Sequence, residues 1–272
     1  MIFRATPLRF EFEAKDELRF PPGKAGNTLR GALGSILPES LFAPHARGEG
    51  PSGLEDRPRP WVLRASHLDG QTFRPGERFA MTVNAFRTDL FPDFRQAFER
   101  ITRLGPERRE VKLVGAIQEE TIGVDLAEPA HAKALRIRFV TPMELKFNGA
   151  ILREPRFEAL MSRVRDRIAA LCELYQGGAP DVGYRGIGER SRAIAMTAAR
   201  IEQIEIERRS SRTQQSHSLG GFVGEAEYEG ELGEFLPWLK AAEWTGAGRY
   251  TVWGNGAILV SSNYPADEAG TR

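Results

Sequence analysis

Near the C-terminal end of the chain, Gly246-Ala247-Gly248 and Gly254-Asn255-Gly256 enclose five residues that begin with Arg249. Glycine accepts positive φ and lets another backbone or a ligand come close. The spacing therefore fits either two tight turns around a short strand, or a cradle where backbone N–H groups and one arginine meet an anion. It is not a Walker loop, because no Gly-Lys-Ser/Thr follows, and it is not the dinucleotide pattern, because five residues separate the glycine pairs. The groups that titrate near neutrality are His45, His67, His131 and His217. No two of them stand three or four residues apart and Cys172 is the lone cysteine, so a zinc site of ordinary spacing is not expected. The carboxylates form no spaced motif either, and neither a metal centre nor a cofactor is expected.

Arginine dominates the cations, with 32 arginines and 6 lysines among 38. Its planar fork suits phosphate and stacks on bases, although a GC-rich genome would write the same bias. Seven arginines face four glutamates between Arg185 and Arg212, just ahead of the glycine segment. The net charge of +1 argues neither for nor against nucleic acid. No apolar run approaches the roughly 18 residues of a membrane helix. MIFRATPLRF lacks the pattern of a signal peptide, and the single cysteine fits a reducing cytoplasm.

The elements that must position these residues follow one plan twice. Leu8, Phe10 and Phe12 alternate with Arg9, Glu11 and Glu13 as in a half-buried strand, and Leu29, Ala32, Leu33 and Ile36 have helical spacing. Strands are expected at 61–65 and 77–86, a helix along Phe91, Phe94, Phe98 and Ile101, and a closing strand through Val111, Leu113 and Ile117. In the second half, Leu135, Ile137 and Phe139 mark a strand, and Phe157 to Tyr175 carry the strongest helical stripe. Strands follow near 198–209 and 217–229, then a helix at 231–243 and a last strand from Trp253 to Val260. Two β-α-β-β-α-β runs predict an α+β protein of two tandem ferredoxin-like, RRM-like domains, spanning 1–125 and 133–264.

The order of helix, G-x-G, arginine, aromatics, G-x-G and terminal strand resembles the RAMP superfamily of CRISPR-associated proteins, and in particular its pre-crRNA-processing endoribonuclease. Gly246, Ala247, Gly248, Arg249, Gly254, Asn255 and Gly256 match the family's loop in spacing, with Asn255 polar where an apolar residue is usual. LRGALG (29–34) and the run from Arg208 to Leu239 resemble further motifs of one branch. Relatives there often have His and Lys around the first glycine pair, where this chain has Trp244-Thr245 and Arg249.

The resemblance implies antiviral defence by metal-independent cleavage of CRISPR repeat RNA in its precursor. The ribose 2′-OH attacks the phosphate, leaving a 2′,3′-cyclic phosphate and a 5′-OH on the mature crRNA. It implies a catalytic histidine just after the first helix, the place of His45, with His217 as the rival. Among the RNA contacts expected are Gly246, Gly248, Gly254 and Gly256 with Arg249 as the phosphate contact, together with Arg30, the weaker Lys24, and Arg208, Arg209 and Arg212. Tyr250 and Trp253 are either base platforms or core. Repeat RNA, other effector subunits and a second copy of the chain are the expected partners, with no membrane. A non-catalytic RAMP subunit that binds crRNA, or a ferredoxin-like protein unrelated to RNA, would share much of this pattern.

Overall fold

The computed structural model describes residues 1–34, 36–42, 57–205 and 220–262, and the backbone of 207–209 and 216–218. In the first half β1 (Ile2–Ala14), α1 (Ala25–Leu33), β2 (Trp61–Arg64), β3 (Arg78–Ala85), α2 (Phe91–Glu99) and β4 (Arg109–Gln118) succeed one another, and β5 (Ile122–Asp125) follows. The core strands lie in the order β2-β3-β1-β4, all antiparallel. This is the ferredoxin-like order, and the alternation of Leu8, Phe10 and Phe12 turns those three side chains into the core.

The second half repeats the plan with β6 (Ala134–Met143), α3 (Phe157–Tyr175), β9 (Ala195–Ile204), β12 (Gly221–Glu229), α5 (Leu236–Thr245) and β13 (Ile258–Ser262). Its sheet runs β9-β12-β6-β13, again antiparallel. Between these lie a small hairpin, β7 (Leu145–Phe147) and β8 (Ala150–Leu152), a helix α4 (Tyr184–Ser191), and a ribbon of β10 (Glu207–Arg209) and β11 (Ser216–Ser218). The hairpin turns through Asn148 at φ +48° and Gly149 at φ +82°, the pair of left-handed residues that suits a two-residue turn.

Four boundaries differ from those read in the sequence. The last helix starts at Leu236 rather than 231, because Pro237 sits in its first turn, where the missing N–H costs nothing. Trp253 lies in a 3₁₀ turn (Thr251–Trp253) rather than in the final strand, since Tyr250 at φ +60° and Gly254 at φ +91° break the extended chain on both sides. His217 lies on the separate ribbon, opposite Arg208, and not in the strand that starts at Gly221. Beyond the closing strand expected through Ile117, residues 122–125 form a further strand, β5, which pairs with Ile2–Ala5 at the start of β1.

The halves exchange residues. Phe3, Ala5, Val62 and Phe86 from the first half pack into the core built on α3, α5 and β6. In return Val252, from the glycine segment, packs into the core of the first half. Gln176, just past α3, donates to the carbonyls of Arg4 (2.7 Å) and Phe86 (3.0 Å), and Tyr175 Oη donates to the Pro58 carbonyl at 2.8 Å. No described helix is long and apolar enough to cross a membrane.

Candidate nucleic-acid interface

The glycine segment is a packed scaffold. Gly246, Gly248, Gly254 and Gly256 have φ of +68°, +74°, +91° and +70°. A Cβ on Gly256 would lie 1.9 Å from the Ala247 carbonyl oxygen, and one on Gly248 2.5 Å from that of Glu144. These glycines are therefore required by the chain's own backbone. The N–H groups of Ala247, Arg249 and Gly256 donate to the carbonyls of Gly256, Glu144 and Pro142 at 2.9, 3.0 and 3.0 Å. Thr141 Oγ1 donates to Gly254 O and accepts from Ala257 N–H, both at 2.9 Å. The expected cradle of converging N–H groups around Arg249 is not what forms, because the arginine's own N–H is bonded within the fold. The segment presents side chains instead.

Those side chains open onto a cavity of about 560 Å³ between the two halves. Its cations come from five separate stretches: Arg30 on α1, Arg57 and Arg59 before β2, Lys146 on the β7–β8 hairpin, Arg163 and Arg167 on α3, and Arg249 on the glycine segment. Among the described residues, no aspartate or glutamate lines it. Arg163 and Arg167 are four residues apart and so share a helix face.

The cations are held in place from behind. The Arg30 guanidinium lies 3.7 Å from the centroid of the Trp253 ring and 4.5 Å from that of Phe42. On the previous turn of α1, a Cβ on Gly26 would meet the Trp253 carbonyl oxygen at 2.1 Å, so the helix and the 3₁₀ turn touch backbone to backbone. Arg249 Nη1 donates to Glu144 Oε1 at 2.5 Å; the carboxylate is buried, the guanidinium half-exposed.

The last carbonyls of α5, which would otherwise be orphaned where the helix runs into Gly246, accept from both halves. Arg64 Nη2 donates to Glu243 O (3.2 Å) and Trp244 O (3.0 Å), Asn84 Nδ2 donates to Trp244 O (3.0 Å), and Arg167 Nε donates to Thr245 O (3.2 Å). Desolvation pushes Arg64 down to about 10. Desolvation, with Arg64 and Arg59 close by, pushes Arg167 down to about 9. The two shifts come mainly from desolvation, and the cations gathered around the cavity make a strong attractor for a polyanion.

Of the residues singled out in the sequence, Arg30 and Arg249 meet in this cavity with Tyr250 and Trp253 beside them. Trp253 offers one face to Arg30 and Tyr250 lies 4.9 Å beneath Arg249. Lys24 lines a different cavity, on the other side of α1. His45 and Arg212 lie outside the described residues. Arg208, Arg209 and His217 lie on the β10–β11 ribbon, where Arg208 faces His217 and Arg209 faces Ser216 in register. His67 Nε2 donates to the Ala80 carbonyl at 2.8 Å and His131 is exposed. Cys172 is buried, and desolvation pushes its thiol up to about 12. Among the described residues no group of three or more His, Cys, Asp or Glu side chains is arranged to hold a metal ion.

Sequence reasoning missed Arg57, Arg59, Lys146, Arg163 and Arg167. Two signals were present: the Asn148-Gly149 turn that makes a hairpin of KFNGA, and the i, i+4 arginines on the polar side of the long helix.

Residues 137–258 match the family model described as CRISPR-associated endoribonuclease Cas6. The fold matches a Cas6 product complex with a TM-score of 0.60 at 19% identity, over 96% of this chain and 100% of the other. It also matches Thermus thermophilus Cas6 at 0.57 and 14%, covering 94% and 98% of the two chains. An RAMP protein binding different RNA substrates matches at 0.54 and 13%, over 94% and 100%. At these identities the likeness is one of fold. No curated protein matches the chain in sequence. The family model supports the resemblance in sequence over residues 137–258, and the matched structures share the tandem ferredoxin-like architecture.

Proposed function

We propose that this Cas6-type chain is a metal-independent endoribonuclease that cuts CRISPR repeat RNA, its domains 1–125 and 133–264 gripping the strand between them. The observation that carries this reading is the cavity of about 560 Å³ that, among the described residues, gathers seven cations from both halves and no carboxylate. Such a lining binds phosphate, and it also stabilises the extra negative charge that builds on a phosphate under attack. Arg249 and Arg30 are the contacts nearest the glycine segment. Arg208, Arg209 and Arg212 are assigned further contacts to the backbone of the RNA.

In the proposed reaction a base takes the proton of the ribose 2′-OH as the 2′-oxygen bonds to phosphorus. The bond from phosphorus to the 5′-oxygen breaks, and that oxygen takes a proton. The products are a 2′,3′-cyclic phosphate and a 5′-OH. His45 is assigned the proton transfer, since its class of side chain titrates near neutrality. Phe42, three residues earlier in the chain, lies against Arg30 at the cavity. Arg249 keeps its charge at working pH, so it serves the phosphate and not the proton.

The test is cleavage of labelled repeat RNA from the source genome in EDTA, wild type against His45→Ala. Cutting at one site by wild type, slowed by about 10²–10⁴-fold in the variant while binding persists, is the expected result. Cleavage that survives the change moves the role to His217. Tight binding with no cleavage by either protein overturns the enzyme and leaves a crRNA-binding subunit. Activity that needs a divalent cation overturns the metal-independent chemistry.

A further inference from the structure

Helix α1 is a ridge between two cation-lined depressions. Arg30 looks into the cavity described above, whereas Lys24, Asn27, Thr28 and Gly31 line a second, larger one of about 760 Å³ on the opposite flank. Its other wall is the chain that leaves α2, and it carries Arg100, Arg103 and Arg108. Arg103 and Arg108 stand on either side of the tight turn at Gly105, in which Arg108 itself adopts φ +52°.

The neighbouring acids do not neutralise these three arginines. Glu99 accepts from Arg95 Nε at 3.0 Å, and Glu107 accepts from Arg109 Nε at 2.8 Å. Arg100, Arg103 and Arg108 are exposed, and no described carboxylate lies within ion-pair distance of them. Among the described residues, no aspartate, glutamate or aromatic side chain lines the depression. A cationic wall without a stacking platform contacts phosphates and not bases. Gly31 keeps the ridge low at its exposed side, since nothing lies within 4 Å of where its Cβ would stand.

We infer that the substrate RNA does not end at the central cavity but continues over α1 into this second groove, where Arg100, Arg103 and Arg108 hold the backbone of a flanking segment without regard to its sequence. The inference rests on the proposed RNA-binding function and adds a second anchoring site to it. The groove sets how long an RNA must be to bind tightly, and the chemistry stays in the central cavity.

The test compares wild type with the triple variant Arg100→Ala, Arg103→Ala, Arg108→Ala on four RNAs. These are the full repeat, the repeat trimmed from one end or the other up to the few nucleotides beside the cut, and a full-length RNA whose flanks are scrambled. The triple variant should bind the full repeat about 10-fold more weakly at physiological salt, and its slope of log K against log salt should be shallower by about 2, as for three lost single-strand phosphate contacts. The defect should persist on scrambled flanks and vanish on one of the trimmed RNAs. Equal binding of the full repeat by both proteins overturns the second groove and leaves the proposed function standing. A defect of the same size on every RNA, trimmed ones included, also overturns it. Failure of the wild type to bind repeat RNA at all sinks the proposed function itself, and this inference with it. Thermal melting checks the fold, and should the triple variant melt early, the single exposed change Arg103→Ala carries the same comparison with about a third of the slope change.

Discussion

The Arg30 guanidinium lies over Trp253, 3.7 Å from its ring centroid, so a charge from the first half of the chain is held by a ring from the glycine segment of the second. A cation over an indole is worth about 0.5–2 kcal/mol, more as the site dries. Trp253→Leu removes that support without touching any charge. The expected outcome is a fall in RNA affinity of about 10-fold and a modestly lower Tm. Arg30→Lys should cost affinity too, because a compact ammonium keeps the charge but not the planar stack. Equilibrium binding and melting curves on the two variants check both statements, and unchanged affinity in Trp253→Leu would refute them.

Glu144 restrains Arg249 twice, by its buried carboxylate at 2.5 Å and by its carbonyl, which accepts the arginine's N–H at 3.0 Å. An RNA phosphate must compete with the first of these. Glu144→Gln keeps the shape and removes the competing charge, so RNA should bind about 3-fold tighter at low salt and equally at high salt. Arg249→Ala works in the other direction. It leaves a buried carboxylate without its partner, lowering stability by about 1 kcal/mol after allowance for the exposure of the arginine, and it weakens binding. Titrations at two salt concentrations separate the two variants.

The glycines divide into those the fold needs and those it tolerates. At Gly256, φ is +70° and a Cβ would sit 1.9 Å from the Ala247 carbonyl oxygen. Gly256→Ala should therefore destabilise by about 3 kcal/mol, lowering Tm by roughly 5–10 °C, and should displace Arg249 from the cavity. Gly31 lies within α1 with open space around its Cβ position. There Gly31→Ala should stabilise by about 1 kcal/mol, the ordinary gain in helix propensity. Differential scanning calorimetry of the pair tests whether the glycine segment is a scaffold.

Cys172 is buried on the core side of α3 with its thiol pushed up to about 12 by desolvation. A thiol reagent at pH 8 should leave the native protein unlabelled and modify one group only after denaturation. Rapid labelling of the native state would contradict the packing of α3.

These contrasts also mark what sequence patterns convey. Alternation of Leu8, Phe10 and Phe12, and the stripe from Phe157 to Leu171, translate directly into buried faces, and both β-α-β-β-α-β runs were legible for that reason. The glycine segment was legible as a place and not as a mechanism. The carbonyls that crowd Gly248 and Gly256 come from Glu144, just past β6, and from Ala247 at the other end of the same segment, contacts that no local pattern encodes. Trp253 read as a strand residue because aromatic and β-branched neighbours surround it, yet the left-handed Tyr250 turns the chain into a 3₁₀ turn. The cavity was visible only in part, because Arg57, Arg59, Lys146, Arg163 and Arg167 converge from separate elements. Single-sequence reasoning found the cations nearest the motif and missed those that tertiary structure brings to it.

Arg167 gives the cavity a pH signature. In the fold, desolvation first and then the nearby Arg64 and Arg59 push it down to about 9, well below arginine's ordinary range. Between the two the unfolded chain holds a proton that the folded one has released, so this group makes the free protein relatively more stable as pH rises through the window, and its buried charge costs stability at and below pH 8. A bound phosphate reverses the preference, because it favours the charged guanidinium. RNA affinity should therefore be flat from pH 7 to 8 and weaken as pH passes about 9. In Arg167→Met, affinity should start lower, the pH dependence near 9 should disappear, and the free protein should be no less stable at pH 8 if the loss of the bond to Thr245 is offset by relief of buried charge. Binding isotherms at pH 7, 8, 9 and 10 decide it. A wild-type affinity that holds constant across that range would mean that burial does not depress Arg167, or that Arg167 does not face the phosphate.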